Sequence, residues 1–251
     1  MKVNIIYHYD VTNILGGSFN MNIPFSETTL VKDIVNELPK TSDVFKRYRI
    51  DFCCGGNIPL IQAASEQSID VAQLLEELKE IFVKEENQKD NMEVWTNSTS
   101  EDIIEHIQAR YHRPLLEELT LLSPYVTKVS KVHGNSHPEL IKVYELFYEF
   151  KKELIAHTAK EDETVFPLLL KLDDPAVENR EEMINYIKEL EKEHDHAGAI
   201  LKQLREVTTD YKLPLDACGT YNLVYKRLEK LEADTFMHVH LENNILFPRY
   251  I

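Results

Sequence analysis

The chain has 251 residues, enough for one large or two small hydrophobic cores, and sets 28 basic side chains against 43 acidic ones for a formal charge of −15. That charge repels nucleic acid and anionic lipid, so neither is expected as a partner. No apolar run approaches the roughly 20 residues that cross a bilayer, and Met1 to Pro24 shows no basic segment leading into an apolar one, so a soluble cytoplasmic protein is expected.

Three cysteines, two of them adjacent at Cys53-Cys54, argue for reduced thiols rather than a disulfide framework. Glycine is scarce, at 7 residues, and apolar residues recur at three- and four-residue intervals, so the chain reads as all-α. Residues 1–27 stand apart as an extension without assigned role, rich in β-formers from Val3 to Tyr9, broken at Gly16-Gly17 and containing His8.

Residues 28–86 are expected to form a small helical domain. It begins with a helix over Leu30 to Leu38, stopped by Pro39, and a short helix after Ser42. The turn Asp51-Phe52-Cys53-Cys54-Gly55-Gly56 follows. A short helix over Leu60 to Ala64 precedes a longer amphipathic one, capped by Asp70 and running through Leu74, Leu78 and Phe82. The polar stretch 87–100 reads as a linker.

Residues 101–251 then divide into four long helical segments: Glu101 to Val129, Pro138 to Lys171, Glu181 to Val207 and Pro214 to Phe247. The breaks carry Gly134, Asn135, Asp173, Asp174, Pro175 and Pro214, and the short connections predict an up-down-up-down four-helix bundle.

Two of these segments share a pattern. His157-x3-Glu161-x4-Phe166-Pro167 and His238-x3-Glu242-x4-Phe247-Pro248 lie 81 residues apart, and His112 and His194, 82 apart, precede them at nearly equal distances. The bundle therefore reads as a duplicated helical hairpin, each copy supplying His and then His-x3-Glu. Residues four apart share a helix face, so each His-x3-Glu can act as one chelating arm. Four imidazoles and two carboxylates without thiolate suit two iron or manganese ions in a bundle better than a closed zinc site, and iron is the choice made here. Packing alone would retain Phe-Pro and leucines, but it does not require His and Glu at matched interior places, where leaving them unpaired is costly.

The other histidines receive other readings. His196 and His240 sit two positions from expected ligands, about 200° around the helix, and are assigned to the solvated surface. His106 is poorly aligned, His137 falls in a loop, and His133 is the one candidate for supporting a ligand from behind. Gly55-Gly56 leaves the Cys53-Cys54 backbone open, making these thiols candidates for metal, nitrosyl or redox chemistry; a helix after Pro59 aimed at the turn would lower a thiol pKa. The alternative is that they fill the small core. Cys218 is assigned a structural place.

Taken together, Tyr48-Arg-Ile-Asp-Phe-Cys-Cys-Gly-Gly56, Arg110-Tyr-His112, His157-x3-Glu161, Glu193-His194-Asp195 and His238-x3-Glu242-Asn-Asn-Ile-Leu-Phe-Pro248 resemble the di-iron proteins that repair iron–sulfur clusters, especially the staphylococcal type. The resemblance spans about residues 28 to 250. It implies a hemerythrin-like bundle with two oxo- and carboxylate-bridged irons on His112, His157, Glu161, His194, His238 and Glu242. It also implies a cytoplasmic homodimer that restores clusters damaged by oxidative or nitrosative stress, with Cys53 and Cys54 taking part in iron or NO transfer. Rival expectations are an NO- or O2-reactive di-iron enzyme, a gas sensor, and a metal-free helical interaction module.

Overall fold

The computed structural model describes residues 23–86, 95–172 and 180–251. The β-forming run Val3–Tyr9, His8, most of the expected linker and the Asp173-Asp174-Pro175 break lie outside these residues. Among the described residues the only strand-like pairing is a single antiparallel bridge between Leu30 and Pro59; the chain is all-α, as its periodicity predicts.

The first four helices are α1 (Val31–Glu37), α2 (Ser42–Arg47), α3 (Leu60–Glu66) and α4 (Val71–Glu86). They close on one apolar core that includes Val31, Ile34, Phe45, Phe52, Leu60, Leu74 and Leu78. Pro39 ends the first helical run and opens a 3-10 turn, as a residue without an N–H should. This core is not self-contained. Val239, Phe236 and Met237 of the last long helix join it, and Phe52 packs edge-on against Phe236 with ring centroids 6.3 Å apart.

The remaining helices are α5 (Ser100–Ile107), α6 (Arg113–His133), α7 (Glu139–Lys160), α8 (Phe166–Leu172), α9 (Arg180–Val207) and α10 (Gly219–Leu241). Thr99 starts α5 with a reciprocal capping box to Asp102, so the bundle's first helix is set by local sequence. Helix α6 packs on α7 and α10, and α7 on α9, giving the four-helix bundle. The last helix begins at Gly219, five residues later than expected: Cys218 is extended, and Pro214 to Ala217 form a turn instead.

Three of the long segments are interrupted by one π-helical turn each, at Gln108–His112, Glu161–Val165 and Glu242–Leu246. Each turn closes through an N–H to a carbonyl five residues back, from Arg113 to Gln108, Phe166 to Glu161 and Phe247 to Glu242. The next residue in every case is proline: Pro114, Pro167 and Pro248. A proline mid-helix lacks the donor and clashes with the carbonyl four back, and the wider turn ahead of it accommodates both. Helix α9 has no such proline and runs unbroken.

The bundle's apolar interior is in two parts. One holds Leu119, Phe147, Phe150, Leu201 and Leu228; the other holds Ile103, Ile107, Phe166, Ile187, Leu190 and Phe247. In sequence, the four expected histidine ligands and Glu161 each fall between members of the first part and members of the second, and Glu242 lies one turn beyond His238, so a polar layer divides two dry ones.

Candidate metal centre

All six expected ligands are in that layer, and all are buried: His112, Glu161 and Glu242 at 0% exposure, His238 at 1%, His194 at 2% and His157 at 6%. Each of the three π turns starts or ends on one of them, which re-aims the side chain without ending the helix.

The carboxylates lie among the imidazoles. Glu161 Oε2 is 3.2 Å from His157 Nε2 and 3.5 Å from His112 Nε2, with its other oxygen 3.8 Å from His194 Nε2. Glu242 Oε2 is 3.2 Å from His194 Nε2 and 3.9 Å from His238 Nε2, while Oε1 is 3.6 Å from His112 Nε2. The donors form two overlapping groups that share Glu242: His157, His194, His238 and Glu242, and then His112, Glu161 and Glu242, each within 4.8 Å. Both carboxylates thus reach histidines on more than one helix.

Burial of this kind demands partners, yet both oxygens of Glu161, both of Glu242, and Nε2 of His112 and His238 have no hydrogen bond. His157 Nε2 and His194 Nε2 face one another at 2.9 Å. Six polar atoms without a hydrogen bond and two opposed imidazole nitrogens, all converging, fit bound metal: nitrogen and oxygen donors and no thiolate.

Without a cation the layer balances itself with protons. Burial works against charging His112, but its hydrogen bond to Asp162 and the nearby carboxylates of Glu242 and Glu161 outweigh it and push its pKa up to about 10. His157 is likewise raised to about 9 against its burial, by Glu161 and Glu193. His194 is held well above its ordinary range despite full burial, by Glu161 and Glu242. Burial dominates at His238 and pulls it down to about 3. Glu161 stays well below the usual carboxylate range, burial being overcome by His157, His194 and His112.

Three of the rear nitrogens are hydrogen-bonded. His112 Nδ1 donates to Asp162 Oδ1 at 2.9 Å, His157 Nδ1 to Glu193 Oε2 at 2.6 Å, and His194 Nδ1 to Asn243 Oδ1 at 2.9 Å. Lys160 in turn lies 3.0 Å from Glu193 and 3.1 Å from Glu189. These contacts select the tautomer that leaves Nε2 facing the centre. Two rings are also stacked, His112 on Phe166 at 5.7 Å and 13°, and His194 on Phe247 at 6.2 Å and 5°. Every part of the repeated motif now has a place: Glu faces the centre, the residue after it holds the hairpin's first histidine, Phe stacks on that ring, and Pro follows the π turn.

Sequence reading missed Asp162, Asn243 and Glu193 as ligand supports. The signal was available: Asp162 and Asn243 occupy matched places directly after the two glutamates. His133, the residue expected in such a role, is not brought to the centre. It lies 21 residues along α6 from His112, about 30 Å at the helical rise, with Nε2 3.3 Å from Cys218 Sγ. Cys218 is exposed, and backbone N–H groups of Tyr221 and Thr220 lower its pKa against slight burial. His137 pairs with Asp216 at 3.1 Å, the His106 ring lies tilted against Trp95 with centroids 4.1 Å apart, and exposed His196 pairs with Glu153 at 3.0 Å.

His240 corrects an expectation. It faces away from the ligand layer but is buried, not solvated, because the small helical unit covers it: Nδ1 donates to the Phe52 carbonyl at 3.1 Å and the ring packs on Phe52 at 5.6 Å. The Cys-Cys turn is fastened to the same stretch of chain. Asn244 donates to the Cys53 carbonyl at 2.9 Å, and Asn243 Nδ2 lies 3.8 Å from Cys54 Sγ.

Within the turn, Asp51 Oδ1 accepts the backbone N–H groups of Cys53 and Cys54, both at 3.0 Å. Cys53 is buried and Cys54 partly exposed; the thiols are free, with sulfurs 3.8 Å apart. The dipole-lowered thiol does not materialise at Cys53. Contact with Cys54, burial and the Asp51 charge hold it well above its ordinary value.

Comparison with known proteins agrees with this architecture. Residues 27–81 match the ScdA N-terminal domain, described as a domain of unknown function, and residues 103–250 match the hemerythrin HHE cation binding domain. The iron-sulfur cluster repair protein ScdA of Staphylococcus haemolyticus is 40% identical over 88% of this chain and 97% of its own length. Staphylococcus epidermidis ScdA is 39% identical over 88% and 96%. The iron-sulfur cluster repair protein YtfE of Escherichia coli O81 is 33% identical over 86% and 94%. The chain therefore belongs to the family of the ScdA and YtfE iron-sulfur cluster repair proteins, with a hemerythrin cation-binding bundle behind an N-terminal domain of the ScdA type.

Proposed function

We propose that this protein restores damaged iron–sulfur clusters by supplying iron from a two-iron centre on His112, His157, Glu161, His194, His238 and Glu242, the two glutamates bridging. The observation that carries this reading is the convergence of six buried, unpartnered polar atoms on one layer of the bundle. Bound there, iron supplies a labile, redox-active cation. The chain's own groups do the rest: Asp162, Glu193 and Asn243 hold three histidines by their rear nitrogens, and the two apolar cores keep water from competing.

The reading includes residues 28–86 as a Cys-Cys-Gly-Gly domain, 87–100 as a linker, 101–251 as the iron bundle, and cytoplasmic work as a homodimer. Cys53 and Cys54 would take part in transfer, which their docking beside the bundle supports. No described helix is long and apolar enough to cross a membrane. The test is reactivation of a nitrosylated or oxidised iron–sulfur enzyme by iron-loaded protein. Recovery that tracks iron lost from the bundle supports the proposal, and recovery equal to that with free ferrous ion refutes it.

A second reading, an enzyme acting on O2 or NO, has one observation in its favour. A cavity of about 460 Å³, lined by apolar Leu154, Ala197 and Val239 and by charged Lys160, Lys192 and Glu193, reaches His157 and His194. Multiple turnovers of NO with a defined electron donor would select it.

A further inference from the structure

The two copies of the repeated motif differ directly after each glutamate, at a residue that touches a metal ligand. Each hairpin follows its glutamate with a residue that holds the hairpin's first histidine: Asp162 holds His112 and Asn243 holds His194, both at 2.9 Å. A carboxylate can only accept, and Asp162 also takes an N–H from Gln108 at 3.1 Å. A carboxamide that accepts from His194 at Oδ1 still has its N–H groups to give, and Nδ2 of Asn243 points to Cys54 Sγ. The next residue repeats the contrast. Glu163 in the first copy is exposed, whereas Asn244 in the second donates to the Cys53 carbonyl. Carboxylates at these two positions would set acceptors against a carbonyl and a sulfur, so the exchange of acid for amide is what lets the Cys-Cys turn lie on this helix end.

We infer that Asn243 is a positioning residue that couples Cys54 to the metal ligand His194, an inference that rests on the metal reading above. Its carboxamide is planar, so the two contacts are not independent. Oδ1 toward the His194 Nδ1–H keeps Nε2 as the lone pair facing the centre, and that same orientation sends Nδ2–H toward the sulfur. A change in what Cys54 Sγ accepts therefore re-aims the group that orients His194. The Cys-Cys turn acts on the half of the centre that holds His194, while His112 rests on an aspartate tied to Gln108.

The test loads ferrous ion into wild type, N243A, N243D, C54A, and C54A combined with each Asn243 variant. Metal loss to a chelator is timed while Mössbauer spectra follow the two irons separately, and circular dichroism verifies the helices. N243A should speed loss of one iron about 10- to 100-fold, the usual cost of removing a ligand's rear partner. N243D, which gives His194 the acceptor that His112 has, should restore slow loss. C54A should change the release rate of that same iron about twofold or more when Asn243 is present, and leave it unchanged in the N243A and N243D backgrounds.

Equal acceleration of both irons in N243A, or effects of C54A and N243A that simply multiply, would overturn the coupling. If N243A does not fold, the C54A and N243D pair decides on the same criterion. A wild-type chain that takes up no metal sinks the metal reading and this inference together, whereas normal uptake with independent rates sinks this inference alone.

Discussion

His240 should make the metal-free protein acid-sensitive through the contact between its two helical units. The ring is 1% exposed, donates from Nδ1 to the Phe52 carbonyl, and has no partner at Nε2. A second proton would have to sit on that unpartnered nitrogen, and burial accordingly pulls the pKa from 6.5 down to about 4. A histidine with a depressed folded-state pKa contributes stability that is present above its unfolded pKa and lost as pH falls. Taken through both values, the linkage removes about 1.2 kcal/mol between pH 7 and 5.5, and about 1.8 kcal/mol by pH 5. Denaturant unfolding of metal-free wild type and His240→Gln across pH 5 to 7.5 isolates the effect, since glutamine can still donate to Phe52 but does not titrate. The wild-type minus variant difference should shrink by that amount on acidification. A difference flat in pH would refute the reasoning.

The metal-free ligand layer holds protons that a cation must displace. His112, His157 and His194 all have raised pKa values, to about 10 and about 9 for the first two, and the Nε2 atoms of His157 and His194, 2.9 Å apart, have room for one proton between them, so metal uptake at pH 7 should release roughly two protons per filled centre and weaken as pH falls. Calorimetry in buffers of different ionisation enthalpy measures that release; uptake without protons would contradict the assignment. Gly56→Ala should destabilise the chain by about 1 to 3 kcal/mol in chemical unfolding, because the new Cβ would lie 2.5 Å from the Phe52 carbonyl oxygen. Gly55→Ala, whose nearest neighbours are side-chain atoms of Asp51 at 3.1 Å and beyond, should cost less.

The fold class and the helix order were legible because apolar spacing and the Pro and Gly breaks are local signals, and the repeat marked the six side chains that meet in the buried layer because matched interior His and Glu have no packing purpose. What was not legible is what depends on neighbours. His240 lies two positions from His238 and reads as outward-facing; only the arrival of Phe52 from far along the chain makes that face an interior. His133 is near His112 in sequence terms but one long helix away in space. Asp162 and Asn243 look like ordinary solvated polar residues until the other helix brings His112 or His194 to them. The segments were read straight through Pro114 and Pro167, but apolar spacing does not distinguish a single π turn from the α-helix around it, so the turns ahead of Pro114, Pro167 and Pro248 went unseen.

The central claim is that six buried side chains hold two irons. Iron per chain, with absorption and Mössbauer spectra, should be measured for wild type and for a His157→Ala, His238→Ala double variant of matched helicity. The account predicts about two irons per wild-type chain in a coupled, bridged pair, lost in the variant. Negligible iron in the wild type, or equal iron in both proteins, would contradict it.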